Sequence, residues 1–202
     1  MNKSTIKAVN QVIKSLSNHY SKKRIGYLKG DHNVFISDIA LIDSKVIDFK
    51  DFTNQSPLDI QAYDKLINNY SDYDISFKLS TNQVLGLLKG YYRKDDLVRF
   101  TSEDNTSYMQ VVRDHTIYKS VEIPYINTDI DLFININYFK KLLELIKSID
   151  SITSVITISY IDDHKPININ SDSLSVHLAP YRVINTELLK DYTKKHNKEG
   201  SN

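Results

Sequence analysis

The feature that most constrains the fold is an order of elements, strand, helix, then three strands, that is read twice in the later part of the chain. Leu132–Ile136 alternates and is rich in β-branched residues, as a half-buried strand requires. Asn137 offers an N-cap, and Tyr138–Ile149 sets Phe139, Leu142, Leu143, Ile146 and Ile149 along one helical stripe. Ser154–Tyr160, Pro166–Asn170 and Leu174–Leu178 read as three strands, with a polar turn at Asp162–Lys165. The same order starts at Ile75. Strand Ile75–Leu79 and helix Asn82–Tyr92 lead to strands Leu97–Ser102, Tyr108–Arg113 and Tyr118–Ile123, with a hairpin turn at Glu103–Thr106. Repeated units of this kind bury a core by stacking on one another.

The first segment begins in kind and then departs. Thr5–Tyr20 reads as a helix with Ile6, Val9, Val12, Ile13 and Leu16 on one face and Ser4 as its cap. Ile25–Leu28, Val34–Ile39 and Val46–Phe49 read as short strands, and Pro57–Tyr70 as an extended lead-in to a helix. Only one strand fits between that helix and Asn82. Residues 1–74 are therefore expected to form a shortened domain, or a different element packed beside one complete domain spanning 75–184. Residues 185–202, with Lys194, Lys195 and Lys198, are expected to be a basic flexible tail.

Composition narrows the function classes. The 202 residues are 41% apolar, enough for a sizeable core. Lys+Arg 26 against Asp+Glu 25 leaves a formal charge of +1, so any affinity for nucleic acid must come from charge placement. There is no Cys, which removes disulfides, thiolate nucleophiles and Cys-ligated metals, and an intracellular, cytoplasmic protein is expected. Neither a signal peptide nor a bilayer-spanning run is read. The wealth of Asn, Ile, Lys and Tyr is that of an AT-rich genome such as a phage or a low-GC bacterium. Gly86 and Gly90 lie in a helical pattern and lack the Lys-Ser/Thr ending of a phosphate loop. The histidines, at 19, 32, 115, 164, 177 and 196, show no metal spacing, and Asp162–His164 reads as a turn. No catalytic residue, metal or cofactor is expected.

Four short stretches carry a family resemblance: Phe133 with Tyr138 and Phe139, Val155 with Ile158 and Ser159, Lys165-Pro166-Ile167, and Leu178-Ala179-Pro180. They resemble the closing half-domain of DNA sliding clamps, and Pro180-Tyr181-Arg182 is similar to the Met-Pro-x-Arg that ends bacterial ones. The likeness covers about a quarter of the chain well and the preceding half-domain loosely. It implies an α+β, sliding-clamp-like fold of repeated β-α-β-β-β units, with helices on one face of antiparallel sheets. It also implies a polymerase processivity factor, not an enzyme, that encircles duplex DNA as a homotrimeric ring and works with a DNA polymerase and a clamp loader. The alternative is a phage adaptor or inhibitor of the same fold that forms no ring. It would bind a host protein such as RNA polymerase, its sigma factor or a replication factor.

By this resemblance the DNA-facing residues are the helix cations. These are Lys7 and Lys14 with the following Lys22, Lys23 and Arg24, then Lys89 and Arg93, and Lys140, Lys141 and Lys147, interrupted by Glu144. The plainer reading of the same lysines is a set of solvated helix faces. The partner-binding pocket falls on Leu178, Ala179, Pro180, Tyr181 and Arg182, with Tyr125-Ile126 nearby. Without the resemblance, the same stretch is an edge strand ended by proline.

Overall fold

Small polar side chains set where the helices start. Asn2 Oδ1 accepts from the Thr5 N–H at 2.9 Å, so helix α1 (Lys3–Ser17) is capped by Asn2 rather than Ser4. The Asn137 N–H donates to Asn135 Oδ1 at 2.9 Å at the start of α3 (Ile136–Asp150), which puts Asn137 inside the helix rather than at its cap. Between them α2 (Thr81–Leu87) is shorter than its apolar pattern predicts, because Gly90 turns into the left-handed region at φ +91° and ends the helical run. The computed structural model describes residues 1–17, 26–27, 33–37, 39–52, 73–90, 93, 95–150, 154–162, 164–183 and 189–191. The expected helix within 57–70 lies outside them.

The described strands are β1 (Gly26–Tyr27), β2 (Asn33–Ile36), β3 (Ala40–Ser44), β4 (Ile75–Ser80), β5 (Leu97–Glu103), β6 (Thr106–Arg113), β7 (Thr116–Ile123), β8 (Asp131–Asn135), β9 (Val155–Tyr160), β10 (Ile167–Asn170), β11 (Leu174–Leu178) and β12 (Lys190–Asp191). One sheet runs β1-β2-β3-β11-β10-β9-β4 and the other β12-β7-β6-β5-β8. The opening strands are exchanged between units: β4 pairs with β9, and β8 with β5. Two hairpins are closed by two-residue turns, Asp104-Asn105 (φ 50° and 62°) and Asp114-His115 (φ 47° and 57°). Asp, Asn and His tolerate that region better than bulkier side chains do. All described ladders are antiparallel except that of β12, which runs parallel to β7.

Two expectations fail for identifiable reasons. Val46–Phe49 is not a strand: Ile47 and Phe49 are buried, but the Ser44 hydroxyl accepts from the N–H groups of Val46 and Ile47, and a 3-10 turn follows at Phe49–Asp51. The strand is β3, buried on both faces and so lacking the alternation that marks a half-exposed one. The segment 185–202 is not uniformly a tail either. Lys190–Asp191 adds to the second sheet, and Leu189 packs with Val183 over Leu97, Val112, Ile117 and Phe133.

One core joins the helices to both sheets. Phe77 lies tilted against Phe100 and Phe139 meets Phe100 edge-on, at centroid distances of 5.3 Å and 6.1 Å, and Ala8, Val9, Val12 and Leu16 of α1 enter the same cluster. Residues of the 1–74 and 75–184 segments therefore share a sheet, through β3 and β11, and a core.

Candidate functional site

The helix layer brings together residues far apart in sequence. The first turns of α1 lie beside the last turns of α3, where Thr5 Oγ1 donates to Ser148 O at 3.0 Å. Lys7 and Lys147 border one hollow of about 480 Å³ between these helices, with Ser4, Gln11, Glu144 and Ser148. Lys14 is exposed further along α1, and Lys140 and Lys141 are half-buried on α3. Lys89 and Arg93 are exposed past the end of α2 and do not line the hollow, while Lys22, Lys23 and Arg24 lie outside the described residues.

Charge placement on these helices follows the dipole at their C-termini but not at their N-termini. A helix N-terminus prefers acids and a C-terminus bases. Neither α1 nor α3 has an acid in its first turn, and α1 begins with Lys3. Of the lysines on these two helices, only Lys14 and Lys147 sit in a last turn. Six lysines face only two acids, Glu144 and Asp150, across α1 and α3, in a chain whose overall charge is +1.

A buried ion pair fixes the start of α3. Asp96, fully buried, accepts from the Arg113 guanidinium (2.7 Å to Nη2) and from the Arg93 N–H at 3.0 Å, while its carbonyl accepts from the Ile136 N–H at 3.0 Å. Burial works to raise the Asp96 carboxyl, but the hydrogen bonds and charges of Arg113 and Arg93 outweigh it and hold the group below the usual carboxylate range. The chain leaving α2, the end of β6 and the start of α3 are tied at this point.

The second region is the chain after β11. Leu178 is buried in the sheet, opposite Ile167 and Ala40, and serves packing rather than a pocket. The Ala179 N–H donates to Ile39 O and the Tyr181 N–H to Phe133 O, both at 2.8 Å, so this segment crosses from one sheet to the other. Pro180 and Tyr181 line a cleft of about 380 Å³ with Phe133, Tyr160 and three acids, Asp129, Asp131 and Asp162. Asp131 pairs with Arg99 at 2.6 Å, and Asp162 caps the turn through the N–H groups of His164 and Lys165. Ala179 and Arg182 are exposed and do not line the cleft, and Tyr125 borders a different hollow, against α2. The Thr5–Ser148 contact, the acidic rim and the hollow beside α2 escaped the sequence reading, because each depends on which elements become neighbours.

Among the described residues no group of three or more His, Asp or Glu could hold a metal ion, and no helix is long and apolar enough to cross a membrane.

No protein-family model and no curated protein matches the sequence. Solved structures do match. The Helicobacter pylori beta clamp bound to a DNA ligase peptide gives a TM-score of 0.59 at 13% identity, covering 90% of this chain and 64% of that one. The same clamp with 3,4-difluorobenzamide gives 0.58 at 14% identity, over 90% and 65%. With diflunisal it gives 0.57 at 14%, over 89% and 64%. The chain thus spans about 64% of the length of the clamp structure bound to the ligase peptide. At such identities the likeness is one of fold: this chain has the α+β fold of the bacterial β sliding clamps.

Proposed function

We propose that the chain is a non-catalytic clamp on duplex DNA, a processivity factor that tethers a DNA polymerase and other replication proteins in the cytoplasm. The observation that carries this reading is the excess of lysines on the paired helices α1 and α3, six against two acids in a chain of net charge +1. Exposed lysines held on long flexible stems meet phosphates without reading bases, which suits a protein that slides. Lys7, Lys14, Lys140, Lys141 and Lys147 are the residues assigned to the duplex, joined by Lys89, Arg93, Lys22, Lys23 and Arg24 at the helix ends. The cleft at Pro180 and Tyr181 is assigned to partner peptides, in keeping with the DNA ligase peptide bound by a beta clamp of this fold. Residues 1–74 act as a shortened clamp domain joined to a complete one at 75–184. Three chains closing a ring, with a loader to open it, is the assembly that the resemblance implies.

A polymerase assay tests this reading. Replacing Lys7, Lys14, Lys140 and Lys147 by Glu is expected to abolish stimulation of a cognate polymerase on long templates; Lys7, Lys14 and Lys147 are exposed and contribute little to stability, and a melting curve checks that the change at half-buried Lys140 leaves the fold intact. Undiminished stimulation would remove the helix layer from DNA binding.

One observation favours a second reading. β3 and β11 pair within the chain, so these two strand edges are already taken. An adaptor that forms no ring and docks a host protein, such as RNA polymerase sigma factor or a replication factor, needs neither free ring edges nor a basic inner surface. It predicts that the tagged protein retains one stoichiometric transcription or replication protein from a low-GC host extract. Retention of only a polymerase or loader would count against it.

A further inference from the structure

The two acids among the six lysines of α1 and α3 are placed very differently. Asp150 is the last residue of α3, and both its carboxylate oxygens are buried. Glu144 lies in the middle of α3, on the face that the core leaves open. Phe139, Leu142, Leu143, Leu145 and Ile146 of that helix are buried, whereas Lys140, Lys141 and Glu144 are half-buried and Lys147 is exposed.

Helix geometry sets this carboxylate beside every lysine of α3. Lys140 precedes it by four residues, Lys141 precedes it by three and Lys147 follows it by three. Residues at those spacings are neighbours on a helix surface, with Cβ atoms about 5–6 Å apart. Packing adds a fourth lysine from another element. Glu144 borders the same hollow as Lys7 of α1, together with Lys147, Ser4, Gln11 and Ser148. Among the described residues no ion pair locks the Glu144 carboxylate onto one of these lysines.

Helix stability gives little reason for an acid at this position. The dipole acts within the first and last turns, so a carboxylate in mid-helix gains nothing from it. An acid stabilises a helix best when it precedes its lysine, and of the three lysines only Lys147 stands in that order.

We propose that Glu144 limits the grip of the helix layer on the duplex. The inference rests on the DNA reading above, and it concerns how tightly that surface holds rather than whether it does. Each lysine that neutralises a phosphate releases a counterion from the duplex. A carboxylate set among four lysines acts as an internal counterion. It competes with phosphate for their charge and repels a phosphate that approaches the hollow. Along α3 the spacing is shorter than the screening length of about 8 Å at physiological salt, so the effect survives in ordinary buffer. A protein that slides must exchange phosphates readily, and one acid among the lysines lowers the cost of letting each one go.

Glu144→Gln tests the proposal, because Gln keeps the side-chain length and the helix propensity and removes the charge. Binding is read by titrating a fluorescent linear duplex with the full chain over a range of salt. Near physiological salt the affinity of the variant is expected to rise about three- to tenfold, with a logarithmic salt slope steeper by up to about one. Its melting temperature should not change. Glu103→Gln makes the same change of net charge at the exposed end of β5, away from α1 and α3, and is expected to leave affinity and slope unaltered. An equal rise in both variants would reduce the effect to net charge and overturn the proposal. So would an unchanged or weaker affinity in Glu144→Gln. The variant with Lys7, Lys14, Lys140 and Lys147 changed to Glu separates the two readings. If it binds as tightly as the unaltered chain, the DNA reading fails and the proposal with it. If it loses affinity while Glu144→Gln gains none, the proposal fails alone.

Discussion

The helix layer and the cleft after β11 divide the charge of a nearly neutral chain between them. On α1 and α3 six lysines face two acids. Around Pro180 and Tyr181 the charged lining residues are Asp129, Asp131 and Asp162. A formal charge of +1 therefore conceals two surfaces of opposite character. Net charge alone would have dismissed nucleic acid as a partner, whereas placement separates a basic region from an acidic one, and the proposed function gives them different partners.

The largest expected effect breaks both regions together. Arg113→Ala leaves the Asp96 carboxylate buried without its main partner and unties the start of α3, which should cost about 3–5 kcal/mol. Urea unfolding measures it, and loss of duplex and peptide binding should follow the loss of fold. A cost near zero would mean that the pair does not position the helix layer. Tyr181→Ala should separate the two regions instead. It removes a half-exposed aromatic from the cleft, so affinity for a DNA ligase clamp-binding peptide should fall about tenfold, while duplex affinity stays unchanged. Equal losses in both would merge surfaces that the geometry keeps apart.

The smallest effect concerns pH. His177 lies in β11 with its Nδ1 3.0 Å from the Tyr73 hydroxyl. Burial pushes its pKa down and outweighs the opposing pull of Asp43. The unfolded chain then binds the proton more readily than the folded one, so stability is full above the ordinary histidine pKa and falls as pH drops through about 6.5. Melting temperature should decline modestly between about pH 7.5 and 5.5, and His177→Gln should flatten that decline. Neither α1 nor α3 contains a histidine, so duplex affinity should not follow it.

The fold was legible where periodicity is strong. The stripe Phe139, Leu142, Leu143 and Ile146 located α3, and alternation located β11, whereas β8 proves to be a short apolar run, Leu132 to Ile134. It was illegible where burial on both faces erases alternation, as at β3, or where backbone geometry ends an element, as Gly90 does. For the sites, sequence supplied Lys7, Lys147, Pro180 and Tyr181 but not their neighbours. That Lys7 and Lys147 border one hollow follows from α1 packing on α3, and that Leu178 is core rather than cleft follows from its pairing with Ile167 and Ala40. Both are long-range facts, set by topology and not by local pattern.

The measurement that bears most directly on the central claim is duplex affinity as a function of salt, for the unaltered chain and for the variant with Lys7, Lys14, Lys140 and Lys147 changed to Glu. If the helix layer holds the duplex, affinity falls steeply and linearly on logarithmic axes as salt rises. The variant should then bind at least about tenfold more weakly with a shallower slope, because phosphate contacts release counterions in proportion to their number. Equal affinities and equal slopes for the two proteins would contradict the assignment and leave the lysines as a solvated helix face.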